Sequence, residues 1–124
     1  MGLKLIVTGG KNLHDYEYIH NTLDKIDQHS TIAEIVHGGA QGVDFASGEW
    51  GYKNNKTVTV YRANWQQFGK AAGPIRNKVM LEDNLDADYL LAFPGGKGTA
   101  NMCDLAKKAG LDVIRVAKPR GTNE

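Results

Sequence analysis

Two glycine clusters, each wedged between a short apolar run and a stretch of helical periodicity, constrain this fold more than any other feature of the chain. In the first, His37-Gly38-Gly39-Ala40-Gln41-Gly42-Val43-Asp44 follows the apolar stretch Ile32 to Val36 and precedes Phe45, Ala46, Glu49 and Trp50. In the second, Pro94-Gly95-Gly96-Lys97-Gly98-Thr99 follows Tyr89 to Phe93 and precedes the periodic run Met102 to Ala109. Glycine permits positive φ and lets backbone N–H groups come close to a partner, while a helix start adds partial positive charge. Strand, glycine turn and helix start in that order suit a phosphate, although one such turn alone is equally a tight connection. In an open parallel sheet, ligands bind outside the carboxyl ends of the strands. Two such turns at one edge therefore predict a shared anion or nucleotide site.

The rest of the chain supplies the sheet. Leu3 to Val7 reads as a short central strand. Asp15 is placed to cap a helix whose apolar positions Tyr16, Ile19, Leu23 and Ile26 keep helical spacing. Ile32 to His37 is the second strand, Gly42 to about Tyr52 the second helix, and Thr57 to Tyr61 the third strand. Arg62 to Gly73 is an aromatic, glycine-containing loop without clear periodicity, of a length at which loops tend to be functional. Pro74 suits the first position of a helix carrying Ile75, Val79 and Leu85. Tyr89 to Phe93 is the fourth strand, and Thr99 to Ala109 a helix with Met102, Leu105, Ala106 and Ala109 on one stripe. Gly110 ends that helix, and Leu111 to Val116 is the fifth strand. Strands alternating with helices imply a Rossmann-like α/β fold, a three-layer α/β/α sandwich around a parallel sheet of about five strands. Residues 3–116 form one domain on this reading, and residues 117–124 a mobile tail without an apolar anchor.

Composition removes several function classes. At 124 residues the chain has room for one core. Its 15 basic and 14 acidic residues are interspersed, so no basic stripe marks a nucleic-acid binder, and nucleic acid is a minor hypothesis. The single cysteine, Cys103, excludes an internal disulfide and fits a cytoplasmic setting. The apolar start Leu3 to Val7 is too short for a signal segment or a membrane span. His14, His20 and His29 lack metal-ligand spacing, and nothing calls for a metal or a cofactor. Neither G-x-G-x-x-G after the first strand nor G-x-x-x-x-G-K-[ST] is present, which weakens ordinary dinucleotide oxidoreduction and P-loop triphosphate hydrolysis.

Three segments carry a family resemblance. His37 to Asp44, the run Gly69-Lys70-Ala71-Ala72-Gly73-Pro74-Ile75-Arg76-Asn77-Lys78-Val79-Met80, and Ala92 to Met102 together resemble the YspA-like branch of the SLOG superfamily. That superfamily also includes the Lonely-guy phosphoribohydrolases and the DNA-processing protein A fold. The resemblance spans Leu3 to Val116 and implies a Rossmannoid domain that binds a nucleotide or nucleotide-derived ligand, with a homodimer or higher homo-oligomer expected. The phosphate turns of the family match Gly38, Gly39 and Gly42, and Gly95, Gly96, Gly98 and Thr99. Lonely-guy enzymes carry a catalytic glutamate in the pattern P-G-G-x-G-T-x-x-E, and that place holds Met102 here. A thioether cannot exchange the proton. The arginine paired with that glutamate looks similar in position to Arg76, the one candidate catalytic residue.

The ligand-binding candidates are then Gly9, Gly38, Gly39, Gly42, Asp44, Trp65, Lys70, Arg76, Gly95, Gly96, Lys97, Gly98 and Thr99. Gly9 belongs to the turn Thr8-Gly9-Gly10-Lys11 at the same predicted edge. Arg76 could grip a phosphate bidentately, and Lys70 and Lys97 add charge beside glycine motifs. Asp44 either sits favourably at a helix start or accepts from a ribose hydroxyl. Trp65 and Phe68 either stack on a base or pack their loop onto the sheet. The expected function is binding or sensing of such a ligand. The alternative is N-glycosidic hydrolysis of a nucleoside monophosphate, with Asp44, Asp104 or Glu82 replacing the missing acid. Whether the chain is an enzyme stays open at this point.

Overall fold

A computed structural model of the chain describes residues 2–118. The element order is β1 (Leu3–Thr8), α1 (Tyr16–His29), β2 (Ile32–His37), α2 (Val43–Lys53), β3 (Thr57–Val60), α3 (Trp65–Phe68), a 3₁₀ turn (Gly69–Ala71), α4 (Ala72–Asp83), β4 (Tyr89–Ala92), α5 (Lys97–Lys108) and β5 (Val113–Arg115). The strands form one sheet in the order β3-β2-β1-β4-β5. Every pairing is parallel, with Leu5 beside Ile35 and Ile6 beside Leu90.

Alternation along the strands builds the two faces. Leu5 and Val7 of β1, Ile35 of β2 and Leu91 of β4 pack with Ile19 and Leu23 of α1 and with Val43, Ala46 and Trp50 of α2. The intervening Ile6, Val36, Leu90 and Ala92 pack on the other face with Met80 and Leu81 of α4 and with Met102, Cys103 and Ala106 of α5. Central strands covered on both faces are apolar without interruption, as Leu5-Ile6-Val7 is. This is a Rossmann-like α/β fold. Asp15 caps α1 as expected, its Oδ1 accepting from the Tyr18 N–H at 3.2 Å.

The C-terminal half departs from the sequence reading at several points. Arg62 to Gly73 is not a plain loop: Asn64 accepts from the Gln67 N–H at 3.0 Å and starts α3, which runs through the 3₁₀ turn into α4. Pro74 is the third residue of α4 and not the first. Helix α5 starts at Lys97, two residues before Thr99, and β5 is confined to Val113–Arg115. The apolar stripe Ile75, Val79 and Leu85 faces solvent. The buried side of that segment carries Ala72, Asn77, Met80, Leu81 and Asn84, because both asparagines find partners there. Asn77 donates to Gly98 O and Asn101 Oδ1, and Asn84 donates to Met80 O and the Tyr61 hydroxyl. A buried amide so satisfied carries little penalty, so counting apolar residues picks the wrong face. Ala117, where the expected tail begins, accepts a hydrogen bond from the Tyr18 hydroxyl; of that tail, residues 119–124 lie outside the described residues.

Candidate functional site

The strand order puts the ends of β2, β1 and β4 side by side, so three turns meet at the carboxyl edge of the sheet. The middle turn, Gly9 to Lys11, joins the other two. Gly10 donates its N–H to Pro94 O at 2.8 Å and accepts at its carbonyl from the Val43 N–H at 3.2 Å. Close approach dictates the residue type. Gly42 has φ 72°, and a Cβ there would stand 2.4 Å from Gly10 O. On Gly95 a Cβ would stand 2.1 Å from Thr99 Oγ1 and 2.7 Å from Gly10 N.

Two helices begin at these turns, and neither is capped by a side chain: α2 starts after Gly42 and α5 after Gly96. Helices α1 and α3, by contrast, are capped by Asp15 and Asn64. The first N–H groups of a helix have no partner within it; at α2 the Val43 N–H is taken by Gly10 O, so the N–H groups that follow it, with those at the start of α5, carry the donors at the positive dipole ends.

Helix α4 ties the two outer turns together with adjacent residues. Arg76 donates through Nη1 to Gly38 O and to Tyr61 O, the latter at 3.4 Å, and through Nε to Asn77 Oδ1 at 2.9 Å. Asn77 in turn reaches Gly98 O at 3.3 Å. Arg76 is half-buried; desolvation draws its pKa below the usual guanidinium value while the Asp44 carboxylate opposes that, and the group stays charged.

Asp44 and His37 lie beneath the Gly38–Gly42 turn. Asp44 is 7% exposed and accepts from the Ala40 N–H at 3.1 Å. Burial pushes its carboxyl up to about 6, against the amides of Ala40 and Gly38 and the Arg76 charge, which favour ionisation. His37 is 6% exposed, and its Nδ1 accepts from the Gly39 N–H at 3.0 Å. Burial, with Arg62 and Arg76 adding repulsion, holds its ring down at about 4. The imidazole is therefore neutral at pH 7, with its proton on Nε2.

Residues 3–68 match the family described as "YspA, cpYpsA-related SLOG family". The chain is also 34% identical over 119 residues to the Gene 61 protein of Mycobacterium phage D29, covering 90% of this chain and 94% of that protein. The chain belongs to the YspA-related SLOG family. Among solved structures, the X-ray structure of DNA processing protein A (DprA) from Streptococcus pneumoniae superposes with a TM-score of 0.75 over 97% of this chain and 52% of that one, at 14% identity. The chain thus spans about half the length of that structure, and at this identity the likeness is one of fold.

Within this SLOG chain, the sequence candidates divide by position. Gly9, Gly38, Gly39, Gly42, Asp44, Arg76, Gly95, Gly96, Lys97, Gly98 and Thr99 all lie at the three turns or brace them. Lys70 is exposed in the 3₁₀ turn, and Trp65 is 60% exposed with its ring edge toward Gly73. Two clefts open at the end of β3, on either side of Arg62, and Lys70 and Trp65 line neither of them. Phe68 lines one, with Tyr61, Arg76 and Val79. Met102 is fully buried in the core beneath α5, which is the packing role its place on the apolar stripe suggests. Of the acids able to replace a glutamate, Asp104 and Glu82 are exposed, and only Asp44 is brought near Arg76.

Sequence reasoning missed Asn77 and Arg62. Arg62 follows β3 at the carboxyl edge, with Nη1 3.5 Å from Gly39 O, and a basic residue just past a parallel strand was the available signal. Nothing in the sequence marks Asn77 as the link between turns. Among the described residues no cluster of three or more His, Cys, Asp or Glu side chains could hold a metal ion, and no helix is long and apolar enough to cross a membrane.

Proposed function

We propose that residues 3–116 act as one domain that binds a nucleotide or nucleotide-derived phosphate, with the open starts of α2 and α5 and the Arg76 guanidinium holding phosphate oxygens. The openness of Gly96 and Gly98 carries this reading. A Cβ at either position would meet no described atom within 4 Å, and neither residue has positive φ. The fold does not require glycine at position 98, in the first turn of α5, yet glycine within a helix sacrifices about 0.5–1 kcal/mol relative to alanine; Gly96, the residue before the helix, carries no such cost. A ligand pressed against the backbone accounts for that sacrifice at Gly98. Arg76 makes its hydrogen bonds through Nε and Nη1, leaving the Nη2 hydrogens for phosphate. Lys97, exposed on the first turn of α5, adds a further cation.

Such contacts together support dissociation constants between about 1 mM and 1 µM. Calorimetric titration with nucleoside mono-, di- and triphosphates tests the reading. Binding of at least one class, weakened at least tenfold in Arg76→Ala with the fold checked by thermal melting, is the expected result. A flat response across the panel contradicts it.

The position of Asp44 supports a second reading, N-glycosidic hydrolysis of a nucleoside monophosphate. A carboxyl with a pKa of about 6 beside a guanidinium is suited to proton transfer near neutral pH. Water would add at the ribose C1′ as the bond to the base breaks, and the departing base would take a proton. Chromatography of AMP incubated with protein distinguishes the readings: release of adenine, lost in Asp44→Asn, supports hydrolysis, and none after prolonged incubation leaves binding alone.

A further inference from the structure

The larger of the two clefts beside Arg62, about 340 Å³, lies between the Gly39–Gln41 segment of the first glycine turn and residues at the starts of α1 and α2. That volume falls in the range of roughly 300–1,000 Å³ usual for small-molecule sites. Its two walls differ in chemistry. Gly39 to Gln41, His37 and Arg62 supply the polar lining, and Tyr16, Phe45 and His14 the aromatic lining. Tyr16 and Phe45 hold their ring centroids 5.9 Å apart at 41°, and His14 continues the row 6.1 Å from Tyr16.

Phe45 has no packing reason to be aromatic. It sits in the first turn of α2, three residues past Gly42, and is 53% exposed, while its helix neighbours Ala46 and Trp50 fill the core. What sets this exposed ring apart is its company: with Tyr16 and His14 it makes a contiguous aromatic lining beside a polar turn.

We infer that Tyr16 and Phe45 form the base-stacking shelf of the site, so that the ligand is a nucleotide read by its aromatic base, with its phosphate on Arg62 and on the Gln41 and Gly42 amides, the Gly39 and Ala40 N–H groups being taken by His37 and Asp44. Charge complementarity selects this occupant. A phosphate satisfies the guanidinium and the open helix start, and a flat ring satisfies the shelf next to them. A sugar phosphate or inorganic phosphate would leave the aromatic wall unused, and a purely apolar ligand would leave Arg62 unpaired. This inference rests on the phosphate reading above and adds the part of the ligand that the turns do not address.

Calorimetry with two probes, adenosine monophosphate and ribose 5-phosphate, on the wild type, Phe45→Ala and Arg76→Ala separates the two claims. The wild type binds the nucleotide about tenfold or more tighter than the sugar phosphate, and Phe45→Ala removes that advantage without changing affinity for ribose 5-phosphate. Phe45 is exposed enough for the variant to keep its fold, which circular dichroism melting verifies. Equal affinity for the two probes, or an unchanged nucleotide affinity in Phe45→Ala, overturns the shelf and leaves the phosphate site standing. Failure of both probes to bind the wild type overturns both claims.

Discussion

His37 and Asp44 impose opposite pH dependences on the same turn, and replacing His37 by asparagine uncovers the one that is hidden. The ring of His37 is buried, its Nδ1 accepts from Gly39, and its pKa is held at about 4, below the 6.5 of a free histidine. Between those values the unfolded chain binds a proton that the folded chain refuses, so this group makes stability rise with pH from about 4 to 6.5. Asp44 is pushed from 3.8 up to about 6 by burial, so the folded chain keeps a proton the unfolded chain has lost. Its contribution therefore falls as pH rises from about 4 to 6. The two slopes oppose each other and nearly cancel. In His37→Asn the side-chain oxygen retains an acceptor for the Gly39 N–H, the titrating ring is gone, and only the Asp44 slope remains. One full proton is worth about 1.4 kcal/mol per pH unit, so the stability gap between wild type and variant narrows by about 2 kcal/mol between pH 6.5 and 4.5. Packing lost with the ring is independent of pH and cancels in that comparison. Urea unfolding followed by the fluorescence of Trp50, which is buried, gives the free energies at each pH. A gap that stays constant across this range refutes the assignment of a neutral His37 buried against the turn.

Three further substitutions address the backbone and the core. Gly98→Ala, at a position with open space, stabilises the free protein by about 0.5 kcal/mol in urea unfolding while weakening nucleotide binding about tenfold in calorimetry. Gly42→Ala places a Cβ 2.4 Å from Gly10 O at φ 72°, and lowers stability by about 2 kcal/mol or more in the same unfolding assay. Met102→Glu restores the side-chain type of the Lonely-guy motif but buries an unpaired carboxyl in the core; it costs about 3 kcal/mol or more in thermal or urea unfolding and confers no hydrolysis in the adenine-release assay.

The fold was legible because its signals are local. Continuous apolar runs such as Leu5-Ile6-Val7 mark buried parallel strands, and glycine turns followed by helical periodicity mark the crossovers. Less legible was the face of α4, where the apolar Ile75 and Val79 are exposed while Asn77, and Asn84 just past the helix, are buried. Partners distant in sequence, Gly98, Asn101 and Tyr61, join the local Arg76 and Met80 O in making those asparagines acceptable inside. The glycine turns and Arg76 could be chosen from the sequence because backbone approach and charge are properties of residue type. The shelf of Tyr16 and Phe45 could not, because it depends on how α1 and α2 lie against each other. Trp65 was singled out as an aromatic residue of the Arg62–Gly73 segment, and it lines neither of the two clefts.

The central claim is that the Gly38–Gly42 and Gly95–Thr99 turns hold the phosphate of one ligand. Amide chemical-shift mapping of ¹⁵N-labelled protein titrated with adenosine monophosphate tests it most directly. The account predicts saturable shifts in the amides of Gly39 to Val43 and Gly96 to Thr99 with a single dissociation constant. Shifts confined to one turn, or none at either, contradict it.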